Sequence, residues 1–448
     1  MTTTLSRQEI IDTSHDTTLY EWTVQSTMKP LVIDRAEGIY LWDADGKRYM
    51  DFNSQLMCTN LGHGDQRVIK AITSQLERIA YVAPTTSTTA ARAEAGRLLQ
   101  EITPSNLAKA FFTNGGAEAN ENAIKIARWF TGRHKILARY RSYHGATAGA
   151  IALTGDPRRW AAEPSIPGVV RIPDFYPYRA GVDPNDEAYA DEILNRTEEI
   201  IQFEGPNTIA AMIIETVVGT NGILIPSERY IRGLRDLCTK YGILLIADEV
   251  MSGFGRTGEW FAVNHWGIQP DIMTLAKGLT SAYVPLGATM VSHEIAEYFE
   301  DRPLFAGLTY NSHAVGCAAA VACINAYKED NLIERAAQLG KVLAAELQAI
   351  KERHPSVGDV RSIGLFSIIE CVKNRKTREP LTPYNPTPAQ LAPMAKLNPY
   401  LREQGVYTFV RWNTVFVNPP LIITEEQLRE GLAVIDKGLE LIDQEVEG

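Results

Sequence analysis

Between residues 107 and 277 short apolar runs alternate with stretches of helical periodicity. "AKAFFT" precedes "AEANENAIKIARWFTG", and "KILARY" precedes a Gly- and Ala-rich segment. "IAAMIIET" leads to "SERYIRGLRDLCTKYG", then come "ILLIADEV" and "DIMTLAK". Ser227 suits a helix N-cap and Gly242 a helix stop. Runs of this kind, alternating with helices, predict a mostly parallel sheet covered on both faces. Ligands of such sheets gather at the carboxyl ends of the strands. Upstream, "GIYLWDADGKRYMDF" alternates around an Asp-Gly turn and reads as a hairpin over 38–52. "QRVIKAITSQLERI" has helical spacing.

From about residue 325 the texture changes. A long amphipathic helix, "NLIERAAQLGKVLAAELQAIKERH", leads to strand-like "SIGLFSIIEC", a Pro-rich loop "REPLTPYNPTPAQLAP", strand-like "TVFVNPP" and the helix "TEEQLREGLAVIDKGLELI". The expected fold class is α/β: a large domain with a mostly parallel sheet flanked by helices, plus a smaller α+β domain. Residues 61–325 would form the large domain and 326–448 the small one, with the segment 1–60 joining the small domain. A chain of 448 residues supports two domains or more.

Composition narrows the partners. The net charge of −10 comes with no long basic block, which argues against nucleic acid or an anionic membrane. No run reaches the roughly 18 apolar residues of a membrane span, and the polar N-terminus lacks a secretory pattern. Five scattered cysteines without C-x-x-C spacing suggest neither a disulfide framework nor a metal site, and fit a cytoplasmic protein.

The stretch "GILLIADEVMSGFGRTG" (242–258) holds two competing signals. Gly253, Gly255 and Gly258 spell G-x-G-x-x-G, a dinucleotide-binding pattern that would make the chain an NAD-dependent dehydrogenase. Its context fails: five residues separate the apolar run from Gly253, and little helical periodicity follows. The acids carry more. A strand buried on both faces has no cheap place for a charged carboxylate such as Asp248, unless it emerges into solvent or meets a fixed cation. The next apolar run ends in Lys277, and parallel strands bring both residues to one sheet edge. An acid facing a heterocyclic cation and a lysine able to form a Schiff base are the two groups a pyridoxal phosphate site requires. Backbone N–H groups around Gly115, Gly116 and Ala117, where a Gly-Gly turn opens a helix, can bind a phosphate. Tyr143 can stack on a ring, although a core tyrosine reads the same.

At this point the sequence resembles the class III aminotransferases, pyridoxal phosphate enzymes of the aspartate aminotransferase fold (fold type I). The likeness covers nearly the whole chain. Its strongest markers are "LLIADEVMSGFGRTGEWFA" and "PDIMTLAKGL", supported by "RAEGIYLWDADGKRYMDF", "TNGGAEANENAIK", "YHGAT" and "GLTYNSHAVGCAAA". The resemblance implies that Lys277 is the Schiff-base lysine and Asp248 the partner of the pyridinium. Val250 would pack on the ring face opposite Tyr143, with His144 and Glu215 close to the cofactor, and Gly115, Gly116 and Ala117 at the phosphate. Thr309 of the partner subunit would also reach the phosphate, which implies a homodimer. Thr216 stands where the family often has proline.

Relatives acting on ornithine, acetylornithine or 4-aminobutyrate carry an arginine three residues before the C-terminal Pro-Pro, and here that position is Phe416. Arg411 instead resembles the mobile arginine of ω-transaminases, which grips a keto-acid carboxylate and swings out for an amine without one. A surface ion pair is the plainer reading of Arg411. Leu56 and Met57 are expected in the substrate pocket; Trp22 and Tyr20 can reach it, with ordinary packing an equally ready reading of both. The expected reaction moves an amino group from an ω-amine or ω-amino acid (taurine, β-alanine, a diamine or a simple amine) to pyruvate or another keto acid. An aminomutase or a decarboxylase shares the same framework.

Overall fold

A computed structural model describes residues 5–446; the extreme ends of the expected segments 1–60 and 326–448 lie outside the described residues. Sixteen strands form three sheets among them. β1 (Ile33–Glu37), β2 (Tyr40–Asp43) and β3 (Arg48–Asp51) open the chain. β4 (Leu107–Thr113), β5 (Lys135–Arg139), β6 (Val169–Ile172), β7 (Ile209–Glu215), β8 (Leu244–Asp248), β9 (Ile272–Leu275) and β10 (Gly287–Ser292) follow. β11 (Val357–Ile363), β12 (Phe366–Asn374), β13 (Glu379–Pro380), β14 (Val406–Tyr407), β15 (Val410–Arg411) and β16 (Thr414–Val417) complete them.

The central sheet runs β4-β10-β9-β8-β7-β5-β6, and only β10 is antiparallel to its neighbours. Its middle strands are apolar on both faces because helices cover both; every residue of β7 is buried. Ser227 caps the helix Glu228–Tyr241 by accepting from Tyr230 N–H, and Gly242 ends it in the left-handed region, as the sequence signals. The hairpin β2–β3 forms as expected. Its sheet then recruits β14 in parallel, so the start of the chain is stitched to its last fifth. Among the described residues no helix is long and apolar enough to cross a membrane.

Three features depart from the hydrophobic pattern. β6 and β10 of the central sheet, and the short strands β1, β13, β14 and β15, are ones that the pattern does not mark. The run "SIGLFSIIEC" is not one strand: Gly364 and Leu365 turn the chain between β11 and β12. Gly364 sits at φ +57°, and a Cβ there would come within 2.3 Å of Thr257 carbonyl carbon and 2.5 Å of Gly258 N. No other residue fits so close a backbone approach. The Pro-rich loop also holds a helix, Pro388–Ala395, capped reciprocally by Thr387 and Gln390.

That approach gives the G-x-G-x-x-G loop its structural role. Gly255 and Gly258 pack it tightly against the helix Leu332–Arg353, and the Thr257–Gly258 backbone lies against Gly364 in the β11–β12 turn. Between them Arg256 is fully buried, donating to Leu365 O (3.1 Å), Pro419 O (2.6 Å), Ser54 Oγ (2.9 Å) and Asn60 Oδ1 (2.7 Å). Burial pulls its guanidinium down to about 10. The loop therefore fastens three parts of the chain together.

Candidate active site

The carboxyl ends of the central strands, with loops from both chain ends, enclose a cavity of about 1040 Å³. Gly115, Gly116, Ala117, Tyr143, His144, Glu215, Asp248, Val250 and Lys277 all border it, as do Trp22, Leu56, Met57 and Arg411. None of Gly253, Gly255 and Gly258 does.

At the sheet edge, β7 and β8 pair so that Glu215 lies opposite Asp248, and β8 and β9 so that Asp248 lies opposite Thr274. Lys277 follows three residues later. Its backbone is left-handed (φ 47°), a conformation that costs a non-glycine residue about 1–3 kcal/mol. Burial, reinforced by the positive charge of Arg158, pulls the Lys277 amine below the ordinary lysine value, with Cys58, Asp248 and Glu215 pulling back. A larger share of it is thus the unprotonated nucleophile at neutral pH.

Asp248 is buried and held by three donors. Oδ2 accepts from His144 Nδ1 (2.7 Å) and Asn120 Nδ2 (2.8 Å), and Oδ1 from Val250 N (3.1 Å). A carboxylate only accepts, so Nδ1 is the protonated ring nitrogen facing it. Asn120 also donates to His144 O (2.7 Å) and accepts from Thr274 Oγ1 (2.8 Å). Glu215 accepts from Tyr143 N (2.9 Å) and Gly219 N (2.8 Å), which fixes the chain where the tyrosine leaves it; burial pushes its carboxyl up.

Glu249, the second acid of "ADEV", points elsewhere. Oε1 accepts from Thr216 Oγ1 (2.7 Å) and Val263 N (2.9 Å), and Oε2 from Ser252 Oγ (2.6 Å) and Ala262 N (2.9 Å). Thr216, the departure from the family's proline, thereby has a partner.

The helix Gly116–Thr131 starts at Gly115 with no side-chain cap, so its first-turn N–H groups and positive dipole end are available to the cavity. A Cβ on Gly116 would come 2.8 Å from Val250 Cγ1, so glycine is what lets the helix start lie this close to the β8 loop. At the outer end, Arg411 donates to Asp156 Oδ2 (3.1 Å), with Asp156 buried and the Arg411 side chain only 13% exposed, not in a surface ion pair. Burial and the neighbouring Arg158 bring Arg411 down to about 10. The Arg158 guanidinium stacks 3.7 Å from the Tyr143 ring centre, and Trp22 meets that ring edge-on at 5.9 Å.

Two expected residues stand apart from the cavity within this chain. Thr309 is exposed, its carbonyl accepting from Tyr81 Oη at 2.7 Å. Tyr20 packs against His15 instead, with ring centres 5.4 Å apart. Phe416 lies buried with Met57, Phe366 and Ile368 behind the wall. Three residues at the site were not singled out from sequence: Asn120, Asp156 and Arg158. Asn120 carries a readable signal, a polar residue on the helical face that buries Ala123, Ile124 and Ala127. "DPRRW" reads only as an Asp cap followed by proline.

The model for "Aminotransferase class-III" matches residues 22–439. The chain belongs to the class III aminotransferases. Its fold matches that of a taurine:2-oxoglutarate aminotransferase from Bifidobacterium kashiwanohense, solved with PLP and glutamate, at a TM-score of 0.95 and 42% identity, covering 98% of this chain and 99% of that one. It is 38% identical to an uncharacterized aminotransferase, YhxA, of Bacillus subtilis (89% of each chain). It is 32% identical to a putrescine–pyruvate aminotransferase of Pseudomonas aeruginosa (91% of this chain, 90% of the relative). This aminotransferase therefore uses pyridoxal 5'-phosphate, and the dehydrogenase reading of the glycine loop falls. The cavity fits that group: an uncapped helix start for a phosphate, a buried and oriented carboxylate for a ring cation, and a lysine amine with depressed basicity.

Proposed function

We propose that this aminotransferase takes the amino group of an ω-amine or ω-amino acid and passes it to pyruvate or another keto acid by ping-pong chemistry. The observation that carries this reading is the convergence of Lys277 and Asp248 on one floor, with the partly buried Arg411 on the wall of the same cavity. Bound there, pyridoxal phosphate supplies an electron-accepting ring and stores the amino group between the two halves. Asp248, aligned by His144 and Asn120, is assigned to keep the ring nitrogen protonated. The Lys277 amine is assigned to hold the cofactor covalently and, once released, to move the proton at the substrate carbon. Gly115, Gly116 and Ala117 would bind the phosphate through N–H groups, and Tyr143 and Val250 would confine the ring. Arg411 holds the keto-acid carboxylate.

The proposed active unit is a homodimer in which Thr309 of the partner subunit completes the phosphate site. In support, Thr309 is exposed beside Phe305 and Tyr310, large apolar side chains that are 74% and 58% exposed in the single chain. The printed activities of the relatives, on taurine with 2-oxoglutarate and on putrescine with pyruvate, support the substrate class. A cytoplasmic location is proposed on five free thiols, four of them buried. The test is an amine screen with pyruvate and with 2-oxoglutarate as acceptors, reading alanine and glutamate formation. Turnover that Lys277→Ala abolishes is expected. No product with any amine, or a Lys277→Ala protein as fast as wild type, would overturn the reading in favour of other chemistry on the same cofactor.

A further inference from the structure

The outer half of the cavity carries more positive charge than an acceptor with a single acid group needs. This inference rests on the aminotransfer reading above. Asp156 is fully buried and caps the short turn Pro157–Ala162 by accepting from Arg158 N at 3.0 Å. Arg158 Nε lies 3.0 Å from both Asp156 oxygens, and its Nη2 also donates to Oδ2. Oδ2 accepts in addition from Arg411 Nη2 (3.1 Å) and Asn221 Nδ2 (3.2 Å). Two guanidiniums thus converge on one carboxylate, leaving one positive charge in excess. Glu21 borders the cavity too, but it is exposed, where water and salt screen it.

The two arginines are held differently. Arg158 is locked by its forked pairing with Asp156, by a 3.0 Å bond to Thr220 Oγ1 and by stacking on Tyr143. Arg411 makes one hydrogen bond to Asp156 and lies 4.2 Å from the Trp412 ring centre. If Arg411 leaves, Asp156 stays paired with Arg158, so no buried charge is orphaned. Arg158 borders the cavity, and its Nη1 has no protein hydrogen-bond partner among the described residues.

We propose that Arg158 and Arg411 together form a receptor for two acid groups, so that the site selects a keto acid with a second, distal carboxylate over one with a single carboxylate. Arg158 is the fixed anchor and Arg411 the movable one. The holoenzyme is tested with unreactive probes, glutarate and butyrate, by calorimetry, and with 2-oxoglutarate and pyruvate as acceptors. Glutarate is expected to bind at least about 10-fold tighter than butyrate. Arg158→Leu should shrink that ratio and lower the 2-oxoglutarate-to-pyruvate ratio of kcat/KM by about 10- to 100-fold. Arg158→Lys should restore part of it, as a point charge without the fork. Equal wild-type affinity for the two probes would overturn the proposal, as would an unchanged ratio in Arg158→Leu. So would a loss confined to the donor half-reaction with β-alanine, which would put Arg158 on the donor's acid group. Should Arg158→Leu fail to fold, the wild-type probe ratio and Arg158→Lys still decide. The probes bind without turnover, so this result is separate from the amine screen that tests aminotransfer itself.

Discussion

Asn120→Ala isolates the device that orients Asp248. The substitution deletes three buried hydrogen bonds: to Asp248 Oδ2, to His144 O and from Thr274 Oγ1. Asp248 keeps His144 Nδ1 and Val250 N. The His144 carbonyl and the Thr274 hydroxyl each lose a partner in a buried setting, at about 1–3 kcal/mol apiece, so a loss of about 2–6 kcal/mol is expected. The functional loss is separate. With one of its three donors gone, the Asp248 carboxylate is less firmly aimed, and misplacement on the order of 1 Å costs up to about 100-fold. The donor half-reaction, followed by stopped-flow absorbance of the cofactor, should slow by about 10- to 100-fold. Thr274→Val keeps the shape and removes only the donor to Asn120, so it should cost about 1 kcal/mol and slow the reaction less. Urea unfolding of apo and holo protein separates intrinsic stability from cofactor linkage. An Asn120→Ala protein within about 0.5 kcal/mol and twofold of wild type would refute the reasoning.

Other consequences follow from the same contacts. Glu370 is buried; burial alone would raise its carboxyl, but Arg361 and Arg179, with Tyr176 donating to it, hold it at about 2. A depressed folded value contributes stability that is present above the ordinary 4.5 and lost as pH falls toward 2. Glu370→Gln should therefore lower stability by about 3–5 kcal/mol at neutral pH and flatten the acid limb of the unfolding profile; a limb parallel to wild type would count against this pairing. Lys277, with its basicity lowered by burial and by Arg158, should take up cofactor in the apoenzyme at a rate that levels off below pH 10.5, and Arg158→Leu should move that plateau upward. Gly364→Ala would drive a methyl into the Thr257–Gly258 backbone, so it should destabilise by more than about 3 kcal/mol; a thermal melt like wild type's would show that the turn relaxes cheaply.

How much of this was legible depends on what each physical signal can carry. Asp248 and Lys277 stood out because a carboxylate and an amine at the ends of doubly covered strands are costly in any other setting, and the register β7–β8–β9 places them together. The G-x-G-x-x-G pattern was louder, yet Gly258 and Gly364 serve close backbone packing, and pattern alone cannot tell a phosphate from another stretch of chain. β10 goes unmarked because Gly287, Thr289 and Ser292 interrupt its apolar run, although all six of its residues are buried. Asn120 meets Asp248 across 128 positions of sequence, and periodicity reports which face is buried, not which polar groups meet there. The arginines show this limit most sharply. Phe416 leaves the C-terminal strand without the fixed guanidinium that the family resemblance leads one to look for, and read by position that is a missing clamp. The cavity wall is reached from several elements, however, and "DPRRW" brings a locked guanidinium to it from the turn after the helix Ala148–Leu153. A charge requirement is met in space, by whichever element can bury a carboxylate to hold it, so absence at one position of the sequence does not establish absence at the site.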